Sequence, residues 1–291
     1  MKTGNRQSRL LTIQLPHGRS LTFGRRTLII GIVNVTPDSF SDGGWFLHPH
    51  NALDHIEIMV HAGVDIIDIG GESTRPGAEA VSVDEELHRV IPLIELLAER
   101  TDVPVSIDTT KPEVARAALA AGASIVNDIT GLHGDEAMAR AAAEFGAAVI
   151  VMHIKGTPRT MQQNPVYDDL LGEVIAYLRE SIAIAERNGV PAERVIVDPG
   201  IGFGKTVRHN LELMARLREL EVLGRPILVG TSRKSTIGKI TGKPADARQF
   251  GTAATVAICI ANGAGIVRVH DVPEMADVVK MADAICGYTQ Y

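Results

Sequence analysis

Ile30-Gly31-Ile32-Val33-Asn34-Val35-Thr36-Pro37-Asp38-Ser39-Phe40-Ser41-Asp42-Gly43-Gly44 is the stretch around which the chain is organised. From Leu28 to Val33 the residues are apolar without a break, the pattern of a short strand buried on both faces. Apolarity stops at Asn34, and Thr36-Pro37-Asp38 turns the chain into a polar loop that contains glycine. A buried strand that delivers a side-chain amide to a loop at its C-terminal end is how α/β folds present a site.

The same arrangement recurs. Apolar runs at 65–69, 103–107, 124–126, 147–152, 195–197, 226–229 and 265–267 end in Gly70-Gly71-Glu72-Ser73-Thr74-Arg75-Pro76-Gly77, Asp108, Asn127-Asp128, His153, Asp198-Pro199-Gly200, Gly230 through Ser235, and Arg268-Val269-His270. Helical patterns follow at 52–62, 83–100, 112–121, 136–145, 167–188, 210–220, 248–261 and 273–285. A break or kink is expected at Pro92 inside the second helix. Eight βα units in one chain of this length predict a (β/α)8 TIM barrel, with a doubly wound open sheet as the alternative. Upstream, residues 10–14 and 20–23 alternate around Pro16-His17-Gly18, which predicts a β-hairpin. That hairpin, within a 1–26 extension, is placed to cap the barrel bottom. No linker divides the chain, so residues 1–291 read as a single domain.

Composition narrows the class. The chain has 291 residues, is 45% hydrophobic and carries a net charge of -6, which gives no sign of a nucleic-acid surface or a polybasic membrane patch. No apolar run reaches membrane-spanning length, and no signal-peptide pattern is visible at the N-terminus. Cys259 and Cys286 lie in apolar helical context, without a disulfide framework. A cytoplasmic protein is the expectation.

A single polar strand end is ordinarily a helix cap or a hydrogen bond across the barrel mouth. A series over eight strands converges on one face, where barrel sites lie. Asp108, Asn127 and Asp198 offer oxygens to a flat ligand edge bearing N–H donors. Lys234 offers a donor to a carbonyl oxygen or ring nitrogen. Arg75, Arg268 and His270 suit phosphate. Asn34 is a neutral oxygen ligand acceptable to Mg2+, which takes few protein ligands beside phosphate and water. Together these residues describe a flat, nitrogen-rich heterocycle carrying a phosphate or diphosphate. Phe40 and Phe203, in a chain with only 4% aromatics, sit in glycine-rich loops and shape a ring pocket.

Other signals fail. Gly200-Ile-Gly-Phe-Gly-Lys-Thr206 lacks the glycine that a P-loop needs at position 199, and it lacks the dinucleotide-binding spacing. His48, His50 and His55 lack the signature of a transition-metal site. No nucleophile elbow surrounds Ser232.

Read as blocks, these residues resemble a known family. Gly31-Ile-Val-Asn-Val-Thr-Pro-Asp-Ser-Phe-Ser-Asp-Gly-Gly44 resembles the first signature of the dihydropteroate synthases, and Asp68-Ile-Gly-Gly-Glu-Ser-Thr-Arg-Pro-Gly77 the second. Ser106-Ile-Asp-Thr-Thr-Lys-Pro112, Asn127-Asp-Ile129, Met152-His-Ile-Lys-Gly-Thr-Pro158, Asp198-Pro-Gly-Ile-Gly-Phe-Gly-Lys205, Ser232-Arg-Lys-Ser235 and Arg268-Val-His-Asp271 are similar to the remaining blocks, in order, from about residue 28 to the C-terminus. Departures at His48-Pro49-His50, Thr231 and Thr236 touch no matched functional residue.

The resemblance implies a TIM barrel that condenses (7,8-dihydropterin-6-yl)methyl diphosphate with 4-aminobenzoate in folate biosynthesis. It implies that Asp108, Asn127, Met152, Asp198, Gly202 and Lys234 hold the pterin, with Arg268 on its face. Asn34, Thr74, Arg75, Arg268 and His270 would serve the diphosphate, with Mg2+ at Asn34 and Asp42. Phe40, Pro76, Phe203 and Ser235 would frame the aminobenzoate, and Asn34, Lys234, Arg268 and His270 would carry the catalysis. It also implies a homodimer, a sulfonamide target, and no nucleic-acid or membrane partner. Two alternatives stand beside it: a pterin-dependent methyltransferase of the same superfamily, which would have no use for the diphosphate cations, and a silent pterin-binding paralogue, which would have lost Asn34, Arg268 or the first two loops.

Overall fold

The computed structural model describes residues 10–35, 49–74 and 77–288. Phe40, Asp42, Arg75 and Pro76 lie outside the described residues, as do His48 and the loop at 36–44.

The hairpin forms as expected, with β1 (Leu11–Gln14) antiparallel to β2 (Ser20–Phe23). Eight parallel strands follow: β3 (Leu28–Asn34), β4 (Ile66–Gly70), β5 (Val105–Asp108), β6 (Ile125–Asp128), β7 (Ala148–Met152), β8 (Val195–Asp198), β9 (Leu228–Val229) and β10 (Ile266–Val269). They are ordered β8-β7-β6-β5-β4-β3-β10-β9. A parallel bridge between Val197 and Ile227, with Val197 N–H donating to the Pro226 carbonyl at 3.0 Å, joins the two ends. That closure excludes the open doubly wound sheet.

Side chains alternate along each strand. Ile29 and Val33 of β3 face the outer core between sheet and helices, while Leu28 and Ile30 face the barrel axis. Gly31 belongs to the outer face. A Cβ there would lie 2.6 Å from Met59 Sδ of α1 (Pro49–His61), so glycine lets that helix approach closely. The lower half of the barrel interior is apolar: Leu28, Ile66, Ile125, Ala148, Ile196, Leu228 and Ile266 pack with Ile13, Leu15, Leu21 and Phe23 of the hairpin. The hairpin therefore plugs the barrel at the N-terminal ends of its strands, as the sequence predicted. Above that plug the inward positions turn polar, at Asp68, Ser106, Asp108, Asn127, Asp198 and Arg268. The site begins there.

The outer ring comprises α1, α2 (Val83–Arg100), α3 (Pro112–Ala120), α4 (Ala137–Glu144), α5 (Leu170–Arg187), α6 (Val207–Ala215), α7 (Ser235–Thr241), α8 (Gln249–Ala261) and α9 (Val272–Cys286). Three expectations need correction. Helix α2 runs unbroken through Pro92. Pro92 and His88 both lie on its exposed face, so water takes the hydrogen bond that proline removes, while Val90, Leu93, Ile94 and Leu97 hold the buried face. The helix expected at 210–220 ends at Ala215 and tightens into a 3-10 segment, Leu217–Leu223, closed by Gly224 at φ 65. Helix α7 was not foreseen. It is seven residues long, holds β-branched residues and Gly238, and has weak helix propensity. Gly238 is needed there because the Arg248 guanidinium lies against its Cα.

Candidate active site

The C-terminal ends of the strands open into a cavity of about 570 Å³. Asn34 and Ile32 of β3, Ser73 and Thr74 after β4, and Asp108 of β5 line one side; Arg268 of β10 and His270 just after it line another. Gly202 and Phe203 after β8, the run Ser232, Arg233, Lys234 and Ser235 after β9, and Met161, Gly230, Ala245 and Arg248 complete it. Asn127, Met152 and Asp198 are buried at neighbouring strand ends, paired in register as Asp108 with Asn127 and Met152 with Asp198. The sequence-derived residues within the described regions thus gather at one end of one barrel.

At its floor, the Arg268 guanidinium spans two carboxylates. Its Nε donates to Asp68 Oδ2 at 2.6 Å and its Nη2 to Asp108 Oδ2 at 2.7 Å. Asn127 Nδ2 donates to the same Asp68 oxygen at 3.1 Å. Asp108 Oδ1 stays buried without a partner, a poor arrangement in a solvent-poor site unless a ligand N–H meets it. Burial raises the Asp108 carboxyl above its ordinary range, against the pull of Arg268. Asp68 was missed because it lies inside an apolar strand rather than at its end. A lone acid in a strand buried on both faces was the signal available.

Lys234 sits with its ammonium 4.2 Å above the Phe203 ring. Burial pushes it down to about 8, with Asp198 pulling it back up. Just after β10, the His270 backbone N–H donates to Ser232 Oγ at 3.2 Å, and that hydroxyl lies 2.9 Å from His270 Nδ1. In the neutral ring a hydroxyl that donates to Nδ1 leaves the ring proton on Nε2.

The loop carrying Thr74 is braced from below. Lys111 Nζ pairs with fully buried Glu86 at 2.6 Å and also with Glu72, and Arg89 Nη1 donates to the Gly71 carbonyl at 2.8 Å. His153 is not a cavity residue. Its Nδ1 lies 2.8 Å from Lys205 Nζ and its ring meets Tyr177 edge-on. Burial pushes His153 down to about 2 and Lys205 down to about 7. Lys205 was not legible, because His153, its partner, lies 52 residues away in sequence.

Among the described residues, no cluster of three or more His, Cys, Asp or Glu could hold a metal ion, and no helix is long and apolar enough to cross a membrane. Asn34 is the cavity residue that offers a neutral amide oxygen on β3. That donor set fits a Mg2+ ion completed by phosphate and water, and it does not fit a transition metal.

The chain resembles known proteins in sequence and in fold. A family model described as a pterin binding enzyme matches residues 30–270. The dihydropteroate synthase of Synechocystis is 51% identical over 273 residues, covering 93% of this chain and 94% of that protein. That of Escherichia coli K12 is 48% identical over 256 residues, covering 88% and 90%. Among solved structures, the Yersinia pestis dihydropteroate synthase in a sulfonamide complex superposes with a TM-score of 0.89 at 42% identity, covering 94% of this chain and 98% of that one. The Xanthomonas albilineans enzyme with 4-aminobenzoic acid gives 0.86 at 44% identity, with the same coverage.

Proposed function

The chain belongs to the dihydropteroate synthase family of pterin-binding enzymes, and on that basis we propose how its residues join (7,8-dihydropterin-6-yl)methyl diphosphate to 4-aminobenzoate in folate biosynthesis. The observation that carries the assignment is the cavity floor, where the unpaired Asp108 Oδ1, the Arg268 guanidinium and the Lys234 ammonium converge.

Asp108, Asn127 and Asp198 accept from the ring N–H groups of the pterin, with Met152 and Gly202 against it, and Lys234 donates to a ring acceptor. Arg268 lies on the ring face. The diphosphate is held by Asn34, Thr74, Arg75, Arg268 and His270. Asn34, joined by Asp42, would hold Mg2+, which when bound neutralises diphosphate charge. Phe40, Pro76, Phe203 and Ser235 frame the arylamine.

The carbon–oxygen bond to the diphosphate breaks and its electron pair leaves with the diphosphate. Cationic Arg268 and the His270 N–H stabilise that departing charge. The electron-rich pterin delocalises the positive charge left at its methylene carbon, which favours a dissociative path. The neutral amine of 4-aminobenzoate then forms the carbon–nitrogen bond, and the acidic proton of the resulting ammonium passes to water. An arylamine is already unprotonated at neutral pH, so no strong base is required, and the buried His153–Lys205 pair stays outside this chemistry.

A homodimer is supported by an exposed apolar face: Phe250 and Ile258 on α8 and Met281 and Ile285 on α9 are all more than half exposed. A reducing cytoplasm suits a chain with only two cysteines, Cys259 and Cys286.

His270→Ala tests the diphosphate role. It should weaken binding of the pterin diphosphate by calorimetry while leaving the bare pterin nearly unaffected. Equal losses for both ligands would remove this strand end from anion binding and favour the methyltransferase.

A further inference from the structure

The segment at 200–204, rejected above as a nucleotide loop, is the cavity wall that carries Gly202 and Phe203. Its backbone is irregular, with Gly200, Gly202 and Gly204 at φ 68, 87 and 63. It rests on the exit of β7: a side chain at Gly200 would run into the His153 carbonyl, and one at Gly204 into the backbone of Lys155. Phe203 N–H bonds the Gly200 carbonyl at 3.0 Å. Five further backbone groups are held by side chains. Gly200 N–H donates to Asp198 at 2.7 Å and Gly202 N–H to Asn210 Oδ1 at 2.8 Å. The Gly202 carbonyl accepts from Gln162 at 2.7 Å, that of Phe203 from Lys205 at 2.9 Å, and that of Gly204 from the Tyr167 hydroxyl at 2.7 Å.

Asn210 differs from the rest because both of its ends are engaged. It is only 2% exposed, on α6, and its Nδ2 donates to Thr236 Oγ1 at 2.9 Å. Thr236 follows Ser235 in the first turn of α7. One rigid amide therefore spans from the segment carrying Phe203 to the helix carrying Ser235. An amide fixed at both ends cannot rotate, so it sets the separation of the two elements.

We propose that Asn210 is a positioning residue for the arylamine: by tying Gly202 to Thr236 it fixes the width of the slot between Phe203 and Ser235. This rests on the assignment of those two residues to 4-aminobenzoate. Misplacement of a wall by about 1 Å is enough to cost orders of magnitude in rate. A purely architectural asparagine would affect folding and leave substrate preference alone.

The test uses the full chain with Asn210→Leu, Asn210→Asp, Thr236→Val and Phe203→Leu. Each is assayed by titrating 4-aminobenzoate at saturating pterin diphosphate, and then the reverse. Asn210→Leu should raise KM for 4-aminobenzoate by about tenfold or more and KM for the pterin by a clearly smaller factor, since Gly202 also lies against the pterin whereas Phe203 and Ser235 serve the arylamine. Asn210→Asp should recover most of the loss, since a carboxylate can accept from both Gly202 N–H and the Thr236 hydroxyl. Thr236→Val, which cuts one tie and keeps the volume, should fall between, and it decides the matter if Asn210→Leu does not fold. A lower Tm with both KM values unchanged, or equal rises in both, would overturn the proposal. If Phe203→Leu itself leaves the 4-aminobenzoate KM unchanged, the wall assignment is what fails, and the proposal falls with it.

Discussion

At the residue scale, the site is governed by charges held together out of water. Arg268 is the common partner of Asp68 and Asp108, with Asp68 fully buried and Arg268 one-fifth exposed. Removing one partner of such a group leaves uncompensated charge, a cost of about 3–5 kcal/mol. Arg268→Ala should therefore lower the urea-unfolding free energy as well as activity; unchanged stability would mean that the two carboxylates are not ionised together. Lys234 supplies a pH prediction. With its ammonium pushed down to about 8 from an ordinary 10.5, it is protonated and able to donate below that pH. We expect kcat/KM for the pterin diphosphate to fall as pH rises through about 8, and Lys234→Met to flatten that limb. The same shift means that the unfolded chain holds the proton more tightly. Lys234 therefore costs the empty native state stability below pH 8, and the cost fades between about 8 and 10.5. Asp198, Asp108 and Arg268 face this ammonium; Arg268 stays protonated throughout, so a profile unchanged in Lys234→Met would assign the limb to one of the two carboxyls, both raised by burial. The strand-end residues were legible because each follows an apolar run at its first polar position. Asp68 and Lys205 were not, because Arg268 and His153 meet them only in the folded barrel, and Asn210 was not, because it sits inside a helical pattern.

At the element scale, parallel strands read clearly because both of their faces are buried, as the nearly continuous burial from Leu28 to Val33 illustrates. Pro92 did not end the helix, because packing of the buried face at Val90, Leu93, Ile94 and Leu97 outweighs the local cost of the proline. Helix α7 was hidden because tertiary contacts, including Arg248 against Gly238, override its poor propensity. The hairpin plugs the end of the barrel away from the cavity, so stability and function should separate there. Phe23 is 4% exposed in the bottom cluster, and Phe23→Ala should cost about 3–5 kcal/mol in urea unfolding with both KM values unchanged. A shift in KM would mean that the plug reaches the catalytic end.

At the scale of the whole molecule, the described loops that follow the barrel strands gather around one mouth, and the apolar face on α8 and α9 lies on the outer ring. Phe250, Ala254, Ile258 and Ala261 follow each other along one exposed side of α8, the pattern of a helix that meets a partner. Ile258→Glu should turn a dimer into a monomer by light scattering; a wild-type chain that is already monomeric would remove the dimer reading. The central claim is that the mouth condenses a pterin diphosphate with an arylamine, and its most direct measurement is product stoichiometry. Purified protein given (7,8-dihydropterin-6-yl)methyl diphosphate, 4-aminobenzoate and Mg2+ should yield one 7,8-dihydropteroate for each diphosphate released, with both signals abolished in Arg268→Ala. Tight pterin binding without release of diphosphate, or release of diphosphate without 7,8-dihydropteroate, would contradict it.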